Sequence, residues 1–205
     1  MPRNWRKIKE ALSDSEARAV ADALSDSECG LSLRDRGIGC LLLYTGMRAC
    51  DVAALRLDSI DWRHDVIRIT QQKTGAPLEL PLTTEVGNAL FDYVTRERGG
   101  SADPHVFICG EWPHGAMLPQ SVRNVANRIF DAAGVRCGKG EARGTHLFRR
   151  TVATSMLSGG ADRAVAASVL GHASAATTDS YMVASVEGLH AHASLDVSRF
   201  PVWEG

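Results

Sequence analysis

The sequence lacks the features of membrane, secreted and zinc-stabilised proteins. Its longest apolar stretch, around Ile38 to Met47, is interrupted and falls well short of the roughly 20 residues that cross a bilayer. The N-terminus, MPRNWRKIKE, has no apolar segment after it and therefore does not resemble a secretory signal. No C-x-x-C pair occurs and the number of cysteines is odd, which argues against a disulfide framework and a structural zinc site (Cys29, Cys40, Cys50, Cys109 and Cys137). We expect a cytoplasmic protein that makes no membrane contact and holds no metal or cofactor.

The chain also has almost no net charge: 23 basic residues nearly balance 24 acidic ones, and the formal charge is −1. This balance is a mild argument against nucleic-acid binding, since nucleic-acid-binding proteins are usually basic. The distribution is uneven, however: residues 120–163 hold eight basic side chains against three acidic ones, and residues 164–205 hold one against four. The basic block indicates either an anion-binding face or a solvated helix surface, and charge alone favours the solvated surface.

Apolar periodicity predicts a mostly helical chain of the α+β class with one small antiparallel sheet. Ser13 and Glu16 fit a capping box that opens the first helix. Alternating residues on both sides of Gly75 predict a β-hairpin within 67–82, and a short strand is expected at 105–108. Further helices are expected at 34–44, 50–57, 84–98, 119–133, 145–157 (with Thr145 as N-cap), 162–170 and 175–184, followed by a short tail helix. We expect one domain at 12–205 after a basic arm or linker remnant at 1–11.

The sequence His146-Leu-Phe-Arg149 places an imidazole and a guanidinium on one face of a predicted helix, near its N-terminus. Such an end attracts anions through its free backbone N–H groups, and an Arg fork matches two phosphate oxygens. The H-x-x-R pattern is nevertheless frequent by chance. Taken alone, it indicates a polar surface pair more strongly than a functional site.

For each of three further residues, a purely structural role competes with a functional one. His172, in Leu170-Gly-His172, fits a helix-end histidine bonded to carbonyls, and Tyr181 fits a half-buried core aromatic. Arg48 follows a helix-breaking Thr-Gly turn between apolar segments and should be partly buried. A buried Arg requires a partner, and this partner is either Asp51 or a phosphate of a ligand.

The joint order of these residues decides between the alternatives. The chain resembles the catalytic domain of the tyrosine recombinase (phage integrase) family from about residue 12 to residue 186. The segment TGMRACDVAALRLDSIDW is similar to the family's first Arg motif, and THLFRRTVATSMLSGGADRAVAASVLGHASAATTDSYMV is similar to the second. The family order of active-site residues is met in full (Arg48, Lys73, His146, Arg149, His172 and Tyr181). Arg150 departs from the second His of many relatives, at a position that usually serves helix packing.

The resemblance implies a transesterification through a 3′-phosphotyrosyl link. It assigns Tyr181 as the nucleophile, and Arg48, Arg149 and His172 to the non-bridging phosphate oxygens. It also implies that His146 assists deprotonation of the tyrosine and that Lys73, carried on the hairpin, protonates the departing 5′-oxygen. Relatives normally carry a helical core-binding domain before the catalytic domain, and we identify no such domain in this chain.

The expected partners are double-stranded DNA, further copies of the chain in a homotetramer, and accessory DNA-bending proteins. Three alternatives remain at this stage. A type IB topoisomerase-like enzyme shares the nucleophile, although the spacing from His172 to Tyr181 fits recombinases better. A DNA-binding module without catalysis would result from the lack of a DNA-clamping domain. A helix-turn-helix repressor would leave Arg48 and Lys73 unexplained.

Overall fold

The computed structural model describes residues 11–110, 115–162 and 170. Its α-helices are α1 (Asp14–Ser25), α2 (Leu33–Cys40), α3 (Ala49–Ala53), α4 (Thr84–Asp92), α5 (Pro119–Ala132) and α6 (Thr145–Ser158). Single π-helical turns extend α2 over Leu41–Thr45 and α4 over Tyr93–Glu97, and a 3₁₀ turn covers Leu57–Ser59. The strands are β1 (Ile60–Asp61), β2 (Val66–Thr70) and β3 (Pro77–Pro81). The predicted mostly helical α+β class is confirmed.

The three strands form one antiparallel sheet in the order β1-β2-β3. The β2–β3 register pairs Ile67 with Leu80, and both side chains are fully buried. The neighbouring pair, Arg68 with Glu79, forms an ion pair on the other face, as the period of two requires. The predicted hairpin is therefore confirmed, and its turn carries Gly75 at φ +67°. The two-residue strand β1 was not predicted, because it is too short to show alternation.

Helix α2 lies at the centre of the domain and packs against α1, α4 and α5. Gly39 allows the closest approach, since an added Cβ there would lie 2.9 Å from Ile129 Cδ1 and even closer to Leu24. The fully buried Ile38, Leu41 and Leu42 continue the same core. Burial of each such side chain contributes about 1.5–3 kcal/mol. The core therefore fixes the end of α2, from which the next turn leads to Arg48.

The buried carboxylate of Asp35 is neutralised from α5. Arg128 donates to both of its oxygens, from Nε at 2.8 Å and from Nη2 at 2.7 Å. Asp35 is 4% exposed, whereas half of the Arg128 side chain is in solvent. This bidentate pair holds α2 to α5 in one register.

The chain enters the domain along α6. The Leu12 amide donates to Thr151 Oγ1 at 2.9 Å, and Arg136 donates to the carbonyl of Ala11 at 3.0 Å. Arg136 also forms an ion pair with Glu16 at 2.9 Å. Ser13 and Glu16 form the predicted capping box at the start of α1. These contacts fasten the beginning of the described chain to α6 and to the segment after α5.

Several predicted boundaries were wrong. The third helix ends at Ala53, because the backbone groups of Leu55 and Leu57 bond to residues 104–106 instead of continuing the helix. The strand expected at 105–108 is reduced to two isolated bridges, one from His105 to Arg56 and one from Ile108 to Ala116. Gly144, at φ +101°, occupies the N-cap of α6, so Thr145 is the first helical residue.

The helices expected at 175–184 and in the tail lie outside the described residues, as do residues 163–169 of the helix expected at 162–170 and most of the arm at 1–11. Within the described part of the chain, none of the helices has the length and apolarity needed to cross a membrane.

Candidate active site

Arg48 is positioned by a sharp turn between α2 and α3. Gly46 takes the left-handed conformation (φ +64°, ψ +23°) and ends the π-helical turn. Arg48 is then extended, and α3 begins at the next residue. Its side chain is 14% exposed, and its Nη1 lies 3.8 Å from the Oδ2 of Asp51, which is almost fully buried. The expectation of a partly buried Arg48 near Asp51 is confirmed.

Asp51 also contacts the hairpin. Its Oδ1 accepts a hydrogen bond from the backbone amide of Gln72 at 2.8 Å. The exposed Lys73 is the next residue in the turn. Gln71 is buried, and its backbone amide donates to the carbonyl of Ala76 at 2.9 Å. One carboxylate therefore links the Arg48 turn to the base of the loop that carries Lys73.

Arg149 belongs to α6, whereas Arg48 precedes α3. Arg149 is 8% exposed, and its Nη1 donates to the carbonyl of Gly46 at 2.9 Å. Its Nη2 is also buried and has no hydrogen-bond partner among the described residues. Burial, and then the positive charge of Arg48, lower the pKa of Arg149 from 12.5 to about 10, against the opposing charge of Asp51. Arg149 remains charged at neutral pH and retains donor capacity for an anion.

His146 lies one turn before Arg149, on the exposed side of α6. Partial removal from water and four positive charges hold the pKa of the His146 imidazole below its usual 6.5. The charges are those of Arg150, Arg149, Arg123 and Lys73. At neutral pH the ring is therefore uncharged and can accept a proton.

Direct contacts link the segments that carry four of the six predicted residues. Arg149 bonds to Gly46, two positions before Arg48, and Asp51 contacts both Arg48 and the amide of Gln72, next to Lys73. His146 is on the same helix as Arg149. His172 and Tyr181 lie outside the described residues. Leu170, two positions before His172, is described: it is 3% exposed and lies against Gly46.

Sequence reasoning missed two contributions to this site. The first is the backbone: the carbonyl of Gly46 and the amide of Gln72 each bond to a charged side chain, and no residue type signals that role. The second is Arg123 of α5, which belonged to the basic block but carried no motif. Among residues 11–110, 115–162 and 170, no group of three His, Cys, Asp or Glu side chains is arranged to hold a metal ion.

The sequence model of the phage integrase family matches residues 10–187, a range that includes all six candidate positions. The chain belongs to the phage integrase family. It is 32% identical over 180 residues to the integrase/recombinase-type protein y4gC of Sinorhizobium fredii, covering 88% of this chain and 92% of that relative. It is also 32% identical over 200 residues to tyrosine recombinase XerC of Mycobacterium leprae, covering 92% of this chain and 64% of that relative. The resemblance found in the sequence is thereby confirmed.

Solved structures share the fold. The XerA recombinase superposes with a TM-score of 0.68 at 21% identity, over 90% of this chain and 64% of that one. The catalytic core of lambda integrase superposes with a TM-score of 0.57 at 20% identity, over 80% of this chain and 92% of that one. The chain thus spans nearly all of a catalytic core but less than two thirds of XerC and XerA.

Proposed function

We propose that this chain is a site-specific recombinase or integrase that cleaves and rejoins DNA through a covalent 3′-phosphotyrosyl intermediate. One observation carries the proposal. Two guanidinium groups from separate elements, Arg48 and Arg149, are largely buried, and one buried carboxylate, Asp51, lies 3.8 Å from Arg48 and also offsets part of the charge of Arg149. Burial of like charges is costly unless an anion joins them. A phosphodiester is an anion whose oxygens both guanidinium forks can bind.

The two arginines are the groups that would stabilise the transition state. Negative charge grows on the non-bridging oxygens as the phosphorus becomes pentacoordinate. Arg149 has a buried Nη2 available for those oxygens, and Arg48 lies at the N-cap of α3. Charge-assisted hydrogen bonds from largely buried donors are strong because the surrounding protein has a lower dielectric constant than water.

The proton transfers balance with two further groups. The Tyr181 hydroxyl attacks phosphorus, its proton passes to neutral His146, and the bond from phosphorus to the 5′-oxygen breaks. Lys73 donates a proton to that leaving oxygen, which yields a 5′-hydroxyl and a 3′-phosphotyrosine. The lowered pKa of His146 supports its part as a proton acceptor at neutral pH. Religation reverses each step, and the covalent link retains the bond energy.

His172 completes the proposed site as a further donor to the phosphate. The contact of Leu170 with Gly46 supports this role, because Leu170 precedes His172 by two positions and Gly46 precedes Arg48 by two.

The proposed partner is double-stranded DNA bound by a homotetramer on paired sites, with accessory bending proteins, inside a prokaryotic cell or its mobile element. Two solved structures with the same fold support the choice of partner. One is a lambda integrase tetramer bound to a Holliday junction, and the other is the XerH recombinase bound to its difH substrate. Both identities are below 25%, so they support the fold directly and the partner only by analogy.

The decisive experiment is a suicide-substrate assay on nicked duplexes drawn from DNA that flanks the gene, with Tyr181→Phe as the matched control. We expect a protease-sensitive protein–DNA adduct with the wild type and none with the Phe variant. Salt-sensitive DNA binding without an adduct would instead favour a non-catalytic binding module. If an adduct forms, supercoil relaxation without strand exchange would favour the topoisomerase-like alternative.

The role of Lys73 can be tested separately with a substrate whose 5′-bridging oxygen is replaced by sulfur. A thiolate is a far weaker base than an alkoxide and leaves without a general acid. We expect Lys73→Ala to slow cleavage of the oxygen substrate strongly and of the sulfur substrate little. Equal losses on the two substrates would remove Lys73 from the acid role.

A further inference from the structure

We infer that Gly46 is a positioning residue for Arg149, and that the left-handed turn at Gly46 is the point at which the segments carrying the candidate residues are aligned. The inference rests on the proposed function, since Arg149 is assigned there to the phosphate. It concerns the backbone of a residue for which no chemical role has been assigned.

The first support is the hydrogen bond between the two residues. Arg149 Nη1 donates to the Gly46 carbonyl at 2.9 Å, and Arg149 is 8% exposed. A long side chain in a buried space has few rotamers, and this bond selects one of them. The fork is then oriented with Nη1 toward protein and with Nη2 free of any hydrogen bond to the described residues. Gly46 thus decides which edge of the guanidinium remains for a ligand.

The second support is the conformation of the turn. At φ +64° a residue with a Cβ pays a steric penalty, whereas glycine does not. The same left-handed turn ends the π-helical turn and leads into Arg48. A right-handed conformation at Gly46 would reorient its carbonyl. It would also change the direction of the chain between the π-helical turn and Arg48.

The third support is space. A Cβ built on Gly46 would lie 3.1 Å from Leu170 Cδ2 and 3.3 Å from Val152 Cβ. Val152 belongs to α6, one turn after Arg149, and Leu170 precedes the Gly171-His172 pair. A side chain at position 46 would therefore require the turn, Val152 or Leu170 to shift by a few tenths of an ångström. A shift of the turn changes the position of the Gly46 carbonyl relative to Arg149.

The test compares Gly46→Ala with Gly134→Ala. Gly134 has nearly the same backbone angle (φ +63°), but an added Cβ meets no described atom within 4 Å. Both variants should melt a few degrees lower, because both place alanine in the left-handed region. Only Gly46→Ala should disturb Arg149.

The first measurement is an NMR experiment that does not depend on DNA cleavage. In ¹⁵N NMR spectra of arginine side chains, a guanidinium held by a buried hydrogen bond rotates slowly, and its Nη–H signals become observable. Arg149→Lys assigns the signals by their disappearance. We expect the Arg149 signals to persist in Gly134→Ala and to shift or vanish in Gly46→Ala. Unchanged Arg149 signals in Gly46→Ala would overturn the inference, whether or not the chain cleaves DNA.

The second readout is the rate of adduct formation under saturating DNA. Misplacement of a catalytic group by about 1 Å can cost roughly a hundredfold. We expect Gly46→Ala to lose about ten- to a hundredfold, Gly134→Ala to lose less than about threefold, and Gly46→Ala with Arg149→Lys to be no slower than Arg149→Lys alone. Multiplied losses in the double variant would mean that Gly46 does not act through Arg149. Failure of the wild type to form an adduct would count against the proposed function, while the NMR comparison would still decide the inference.

Discussion

Asp51 and Gln72, 21 positions apart in the sequence, are joined by a hydrogen bond of 2.8 Å between the carboxylate Oδ1 and the backbone amide. The bond spans the gap between helix α3 and the hairpin. Because Lys73 follows Gln72 directly, the geometry of Arg48 and that of Lys73 depend on one buried carboxylate.

Replacement of Asp51 should therefore reduce the stability of the fold. Asp51→Ala leaves a partly buried amide without an acceptor and removes the negative charge next to Arg48, so we expect a loss of about 1–3 kcal/mol in the free energy of unfolding. Asp51→Asn keeps an acceptor for the amide and should lose less stability. Urea unfolding measures this difference, and equal losses in the two variants would show that the bond to Gln72 contributes little.

Arg149→Lys should reduce catalysis far more than binding. Lysine keeps the positive charge, but it lacks the planar fork with which arginine can bond to the Gly46 carbonyl and to a phosphate at the same time. We expect the adduct rate to fall by roughly 10²–10³-fold, the range found when a preorganised donor to developing charge is lost. Arg128→Lys, on the exposed side of α5, is the matched control. Equal rates for these two variants would argue against a role for Arg149 in the transition state.

The pH dependence should follow from the lowered pKa of His146. A base must be neutral, so the wild-type adduct rate should persist below pH 6.5 and decline only as His146 becomes protonated. Folding should respond in the same range. The folded state binds fewer protons at His146 than the unfolded state does, so this group destabilises the protein as the pH falls below 6.5.

Rates and melting temperatures of the wild type and His146→Gln, measured from pH 5 to 8, test this prediction. The variant should lack both the acid limb of the rate profile and this part of the acid destabilisation. Persistence of the wild-type limb in the variant would assign the titration to another group.

The pair of Arg128 with Asp35 should contribute to stability without contributing to cleavage. Arg128→Ala leaves Asp35 buried without its bidentate partner, and because Arg128 is half exposed we expect a moderate loss of about 1–2 kcal/mol. The companion variant Arg136→Ala, which removes the ion pair with Glu16, should behave similarly. Denaturant titration measures both, and a large change in adduct rate at constant stability would contradict the structural assignment.

The sequence allowed the hairpin, the long helices and the set of charged candidates to be predicted, because periodicity and motif order are properties of side chains. The helix-breaking turn at Gly46 was predicted, but the carbonyl that Gly46 presents to Arg149 and the amide of Gln72 were not. Backbone groups have the same chemistry at every position, so only the fold decides which of them face a charged side chain. The early end of α3 has a similar origin, since its remaining backbone groups bond to residues 104–106, about 50 positions away.

The bonds from Leu12 to Thr151 and from Ala11 to Arg136 set a limit on how this domain can be shortened. A fragment that starts at Ser13 retains all of α1, yet it deprives Thr151 on α6 and Arg136 beside α5 of partners that they have in the longer chain. Expression of this folded region by itself should therefore begin at or before Ala11. A fusion partner joined closer than that would interfere directly with the helix that presents His146 and Arg149.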